Sequence, residues 1–281
     1  MFAMLRVLVD SGSSIKQEER EMYGVEVLPL KILLAGKEYL DGVNLSMDTF
    51  YHELIDKKQF PKTSLPSLGD TDALVNQYLD GGDEVMILTI SSGISGTYNT
   101  FRMHYADEPR VRVIDTKTAV GGIRILVREI NKMRHETMDY IEEKVQALIK
   151  RIRVIAIPET LEYLCRGGRL SRSAWAIGSV LQLKPLISLD SADGSVKVLG
   201  KERGKRRAMQ KLVDSLREMR CDPNYPIVPS YTYGRDNLDV LIAMTDKHYH
   251  AQMIEYDHLD PAIACHWGPN AFGYIFVSEK E

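Results

Sequence analysis

The residues best suited to chemistry in this chain are hydroxyls set beside glycines, most densely at Ser91-Ser92-Gly93-Ile94-Ser95-Gly96-Thr97. Glycines permit tight turns there, and hydroxyls serve as hydrogen-bond partners. Two chemistries compete. Ser95 could be a nucleophile on a strand-to-helix elbow, but the elbow pattern G-x-S-x-G needs glycine where Thr97 stands. An acid and a histidine follow at Asp260 and His266, a pair easily found in 281 residues. The other chemistry is recognition. Ser91, Ser92, Ser95 and Thr97 could hydrogen-bond an anionic oxygen without reacting, because two or three hydroxyl donors can hold a carboxylate out of water. The same hydroxyls could instead only satisfy the backbone of their own turn.

Other stretches carry the same double reading. Thr63-Ser64 lies between Pro61 and Pro66 and is either a turn element or a ligand-facing pair of hydroxyls. In Arg166-Gly167-Gly168-Arg169, the glycines allow close backbone approach and Arg169 offers a planar fork suited to a carboxylate or phosphate. The plainer alternative for Arg169 is a surface salt bridge. His266, in His266-Trp267-Gly268-Pro269-Asn270, could donate to an anion, carry a proton or be structural. Five cations surround one acid from Lys201 to Arg207, which reads as a solvated helix face or as a docking surface for an acidic partner protein. No G-x-G-x-x-G follows the first strand and no Walker lysine motif is present. His248 and His250 have metal-compatible spacing, but without a carboxylate or thiol cluster they read as surface residues and no metal site is expected.

The elements that must position these residues alternate between strand and helix. Leu5–Val9 and Val85–Ile90 are short, dense apolar runs, the pattern of strands buried on both faces. Val25–Leu34 reads as one further apolar stretch, and Pro61–Ser67 as irregular. Helices are expected over 46–55, 71–79, from about 96, over 118–133, and over 138–151, where Met138, Ile141, Val145, Leu148 and Ile149 follow the 3.6-residue period. Alternation of this kind predicts a parallel, doubly wound sheet, with a first domain ending near residue 152. The second half reads differently. Strands at 153–157, 185–189 and 196–199 are expected, the last two joined by a hairpin at Asp193-Gly194. Helices are expected at 159–165, 171–181, 203–220 and 237–247, with strands near 226–231, 251–255 and 262–266.

A net charge of −3 gives no global attraction to nucleic acid or to anionic membrane. No segment approaches the roughly 20 apolar residues of a membrane span. Cys165, Cys221 and Cys265 are odd in number and share no CxxC spacing, so neither a disulfide framework nor zinc is indicated, and a reducing cytoplasm suits them.

Taken together, these stretches resemble the DegV family, bacterial fatty-acid-binding proteins that act as the binding subunit of fatty acid kinase. The resemblance rests on Asp10-Ser11-Gly12-Ser13, Val27-Leu28-Pro29-Leu30, Thr63-Ser64-Leu65-Pro66-Ser67, Ile90–Tyr98, Val113-Ile114-Asp115-Thr116, Thr160–Leu164 with Arg166–Ser171, Leu183-Lys184-Pro185-Leu186, Arg203-Gly204 and His266-Trp267-Gly268-Pro269. Their number and order run nearly end to end. The resemblance implies an α/β fold of two domains, 1–152 with an α/β/α three-layer parallel sheet and 153–281 with a two-layer mixed sheet. A long-chain fatty acid would be buried in a tunnel between them. Thr63 and Ser95 would bind its carboxylate, Arg169 and His266 would complete that network, and Ser64, Ser91 and Ser92 would be secondary contributors.

The resemblance also implies a protein without catalysis or cofactor of its own. It presents the carboxyl group to a separate fatty acid kinase subunit and carries the acyl phosphate toward acyltransferases of phospholipid synthesis. Arg172, Lys201, Arg203, Arg206 and Arg207 would form the kinase-docking face. Two departures from the family pattern stand out. Asn270 replaces the usual glycine and is expected to alter the loop after His266, and Ser14-Ile15 replaces the usual Asp after the first turn. The competing reading remains an esterase-like serine hydrolase using Ser95.

Overall fold

The structure is a computed structural model that describes residues 3–171 and 183–280. Among these, the strands are β1 (Leu5–Asp10), β2 (Val25–Leu28), β3 (Lys31–Leu34), β4 (Lys37–Leu40), β5 (Lys62–Ser64), β6 (Glu84–Thr89) and β7 (Val111–Asp115), then β8 (Ile152–Ile157), β9 (Leu183–Leu189), β10 (Val196–Arg203), β11 (Val228–Tyr231), β12 (Asp257–His258) and β13 (Phe272–Val277).

The dense apolar runs pair as expected. β2-β1-β6-β7 form a sheet in which every adjacent pair is parallel. One face packs on the Leu68–Asp80 and Thr97–His104 helices through Val75, Leu79 and Phe101. The other face packs on the Gly121–Lys132 and Met138–Ile149 helices. The Gly121–Lys132 helix is buried through most of its length, because its far side meets a second sheet. That sheet has the order β10-β9-β8-β13-β11-β12 and is antiparallel except between β11 and β12. Its outer face is covered by the Lys205–Glu218 and Asp236–Met244 helices. Arg124, 4% exposed, pins the shared helix with ion pairs to Glu19 at 2.7 Å and Asp257 at 3.0 Å. Removing it would leave Glu19 to Arg128 and Asp257 to Lys16, each buried carboxylate losing one of its two cations.

Several expectations are corrected. The stretch 25–34 is two strands, because Pro29 interrupts the ladder. β2 stays in the parallel sheet while β3 enters a small antiparallel sheet of order β4-β3-β5. The proline-bounded loop is regular after all: β5 pairs Ile32 with Thr63, and Pro61 and Pro66 lie just outside the ladder. Residues 262–266 lie in a helix, Pro261–Trp267, started by proline at its first turn and by Asp41 Oδ1 accepting the Ala262 N–H at 3.1 Å. Residues 251–255 form no strand; local pairing there is one bridge between Ile227 and Met253, with β12 following. β13 is buried at every position between β8 and β11 and was absent from the sequence expectation. Gly273 interrupts that run because the Ile155 carbonyl approaches its Cα too closely for a side chain.

The basic run is also divided. β10 extends through Arg203, Gly204 turns the chain at φ 85°, and the helix begins only at Lys205. The expected 159–165 helix is Glu162–Arg166. The expected helix over 171–181 and the docking residue Arg172 lie outside the described residues.

Candidate functional site

A cavity lies where the two large sheets and the small sheet converge, enclosing about 790 Å³ of empty space when the open solvent at its mouth is counted. Most of its wall is aliphatic or aromatic, including Ile90, Val154, Ile187, Leu189 and Trp267, while its polar side chains are Thr63, Ser64, Ser95, Arg169, Ser188 and His266. The four residues named first as carboxylate ligands therefore reach one cavity from four elements.

Thr63 comes from β5 and His266 from the last turn of the Pro261–Trp267 helix, and Thr63 Oγ1 lies 2.8 Å from His266 Nε2. Burial first, and the Arg169 guanidinium second, push the His266 pKa down to about 3, so the ring is neutral at physiological pH. A neutral ring carries one N–H. On Nδ1 it would be a buried donor without an acceptor, since Nδ1 has no partner and faces Gly167. On Nε2 it is donated to Thr63 Oγ1. The second tautomer leaves the Thr63 O–H free to donate into the cavity.

Arg169 follows the paired glycines. Its Nε donates to the Ile94 carbonyl at 2.8 Å and its Nη1 to the Gly167 carbonyl at 2.5 Å. Among the described residues it has no carboxylate partner, and burial lowers its pKa from the ordinary value. Ser95 Oγ accepts the Thr97 N–H at 3.3 Å and lies 2.9 Å from Thr97 Oγ1. It both closes the turn that leads into the Thr97–His104 helix and lines the cavity, so the two readings of this hydroxyl coexist. Ser64 also lines the cavity.

Ser91 and Ser92 do not line it. Ser91 Oγ donates to the Gly194 carbonyl at 2.8 Å, fastening the β9–β10 hairpin to the turn. Ser92 hydrogen-bonds the Asp115 carboxylate through both its N–H and its hydroxyl, and Lys117 Nζ donates to it at 3.2 Å. Ser95 Oγ and His266 Nε2 each bond elsewhere, and Asp260 lies at the far end of the helix bearing His266, about 9 Å of helix rise away. No Ser–His–Asp relay is assembled at Ser95. Among the described residues, no group of three or more His, Cys, Asp or Glu is placed to hold a metal, and no helix is long and apolar enough to cross a membrane.

In the loop after His266, Asn270 adopts φ 60°, a left-handed conformation that Asn tolerates better than most residues and that glycine adopts freely. Of the basic residues, Arg203, Arg206 and Arg207 are exposed and Lys201 is half-buried. The cavity's aliphatic wall, notably Ile187, Leu189 and Val196 from the β9–β10 hairpin, was not identifiable in the sequence. Its only signal is the dense apolar character of the strands that carry it.

The sequence profile of the DegV family, described as a family of uncharacterised proteins, matches residues 4–279. The chain belongs to the DegV family. Among similar DegV-domain proteins, one from Caldanaerobacter subterraneus subsp. tengcongensis is 30% identical, covering 98% of this chain and 99% of the relative. One from Clostridium acetobutylicum is 29% identical with the same coverage. In three dimensions, a fatty-acid-binding DegV-family protein from Streptococcus agalactiae matches with a TM-score of 0.89 at 28% identity, over 99% of this chain and 100% of the other. A DegV-family protein from Thermus thermophilus, described for its fatty-acid binding, matches with a TM-score of 0.85 at 27% identity, over 98% and 99%.

Proposed function

We propose that this DegV-family chain binds a long-chain fatty acid, with the carboxylate at Thr63, Ser95, Arg169 and His266 and the tail along the aliphatic wall. The observation carrying this reading is the arrangement of the cavity: an apolar wall ending at a neutral Thr63–His266 pair and an arginine that has no carboxylate partner among the described residues. Its named relatives from Streptococcus agalactiae and Thermus thermophilus support it. An acyl chain of about 16 carbons, at ~0.8 kcal/mol per buried methylene, contributes on the order of 10 kcal/mol before association costs. The tail supplies affinity; the head supplies selection. The Thr63 and Ser95 hydroxyls share the carboxylate with the Arg169 guanidinium, so the head is not held by a buried ion pair alone.

The same reading makes the protein non-catalytic and its carboxylate the substrate of a separate fatty acid kinase subunit, with the acyl phosphate passed toward acyltransferases of phospholipid synthesis. Exposed Arg203, Arg206 and Arg207, with Lys201 beside them, form the docking face for that kinase. We place the domain division at 152/153, at the first residue of β8, and the protein in the cytoplasm, which suits its free thiols. The test is displacement of a fluorescent fatty acid by palmitate and by hexadecanol. Saturable binding that favours palmitate supports the reading. Equal binding of both, or ester turnover abolished by Ser95→Ala, overturns it.

A further inference from the structure

The short Glu162–Arg166 helix and the turn after it carry Arg169, lie against His266, and contact Phe60 and the Ile94 carbonyl, the chain neighbours of Thr63 and Ser95. The Arg166 guanidinium lies over the Phe60 ring, 3.8 Å from its centroid, and the Phe60 and Tyr163 rings stack at 5.4 Å with 28° between their planes. Glu162 holds Arg166 over the ring through an ion pair of 2.8 Å. Phe60 is joined through Pro61 to β5, an edge strand of three residues held only by β3. The Tyr163 ring lies against Gly268, where a Cβ would come within 2.3 Å of its Cδ2. One residue beyond the helix, Gly167 lies against the His266 ring, and Arg169 reaches the carbonyl beside Ser95.

We propose that Phe60, Tyr163 and Arg166 are positioning residues for the bound carboxylate. Their stack clamps β5 to the second half of the chain and thereby sets the Thr63–His266 contact. This rests on the reading that Thr63 holds a carboxylate. Among the described residues β5 pairs with no strand but β3, and Phe60 stands two residues before it, where a hold on the ring fixes the strand's start. The Arg166 side chain is 56% exposed, so the clamp can open without burying a charge. Cation–π and ring stacking are directional but weak at such exposure, which suits a contact that must yield when ligand enters or leaves.

The test is a double-mutant cycle. Phe60→Leu and Arg166→Gln are each expected to weaken palmitate binding about two- to fivefold, mainly through faster dissociation. Arg166→Lys, which keeps a cation over the ring, restores most of the loss. In a Thr63→Val background neither substitution changes palmitate affinity, and neither changes hexadecanol affinity in any background. Equal losses with and without the Thr63 hydroxyl, or equal losses for palmitate and hexadecanol, overturn the clamp. A second readout needs no ligand: solvent exchange of the His266 ring N–H, followed by NMR, is faster in Phe60→Leu than in the unaltered protein. If the unaltered protein binds no palmitate yet this acceleration is seen, the fatty-acid reading falls and the clamp stands. If exchange is unchanged, the clamp falls.

Discussion

Thr63→Val is the sharpest perturbation of the site. Valine matches threonine in shape and β-branching, so β5 and its pairing with Ile32 are kept and only the hydroxyl is lost. With the ring proton on Nε2, the Thr63 hydroxyl accepts from His266 and its own O–H is left to donate into the cavity. A hydrogen bond to a charged group contributes about 1.5–3 kcal/mol, which corresponds to a palmitate dissociation constant raised about tenfold to about a hundredfold. If His266 turns its freed N–H toward the ligand, the loss falls at the lower end of that range. Titration calorimetry of the unaltered protein, Thr63→Val and Thr63→Ser separates the terms. Thr63→Ser retains most of the affinity, and hexadecanol binds all three alike. Palmitate affinity unchanged in Thr63→Val, or an equal loss for hexadecanol, refutes the reasoning.

Gly167→Ala places a Cβ 2.2 Å from His266 Nδ1, with the Tyr163 carbonyl at 3.1 Å. It is expected to cost about 1–3 kcal/mol in denaturant unfolding, and unaltered stability would contradict the packing. Asp41, buried and pushed up to about 7 by burial first and Asp260 second, keeps its proton in the folded state at pH values where the unfolded chain, near 3.8, has lost it. Native stability therefore falls as pH rises from about 4 to about 7 and stays reduced above. Asp41→Asn keeps an oxygen acceptor for the Ala262 N–H, so it gains on the unaltered protein at pH 8 and not near pH 4; a pH-independent difference in unfolding midpoint would contradict this. Reversal of charge at Arg206 and Arg207 together is expected to weaken activation of the fatty acid kinase and leave palmitate affinity unchanged, and unaltered activation would refute the docking face.

The parallel sheet was legible because β1 and β6 are apolar at successive positions, which only burial on both faces explains. Thr63, Ser95, Arg169 and His266 could be nominated from residue type and family resemblance, but their elements could not all be assigned. Ala262–His266 is a short apolar run that periodicity cannot divide between strand and buried helix. Asp41, 221 positions away, caps it as a helix. β5 exists only because β3 pairs with it. Ser91 and Ser92 have the same residue type as Ser95, yet they are turned away from the cavity by partners 103 and 23 positions distant. In each of these a long-range contact decides a locally ambiguous segment, whereas β13 is a dense apolar run like β1 and β6 that was legible and missed.

The most direct measurement is native mass spectrometry of the purified protein, with lipid identification after solvent extraction. The account predicts one fatty acid of about 16 to 18 carbons per chain, at lower occupancy in Thr63→Val. A protein that carries no fatty acid and takes up none when palmitate is supplied would contradict it.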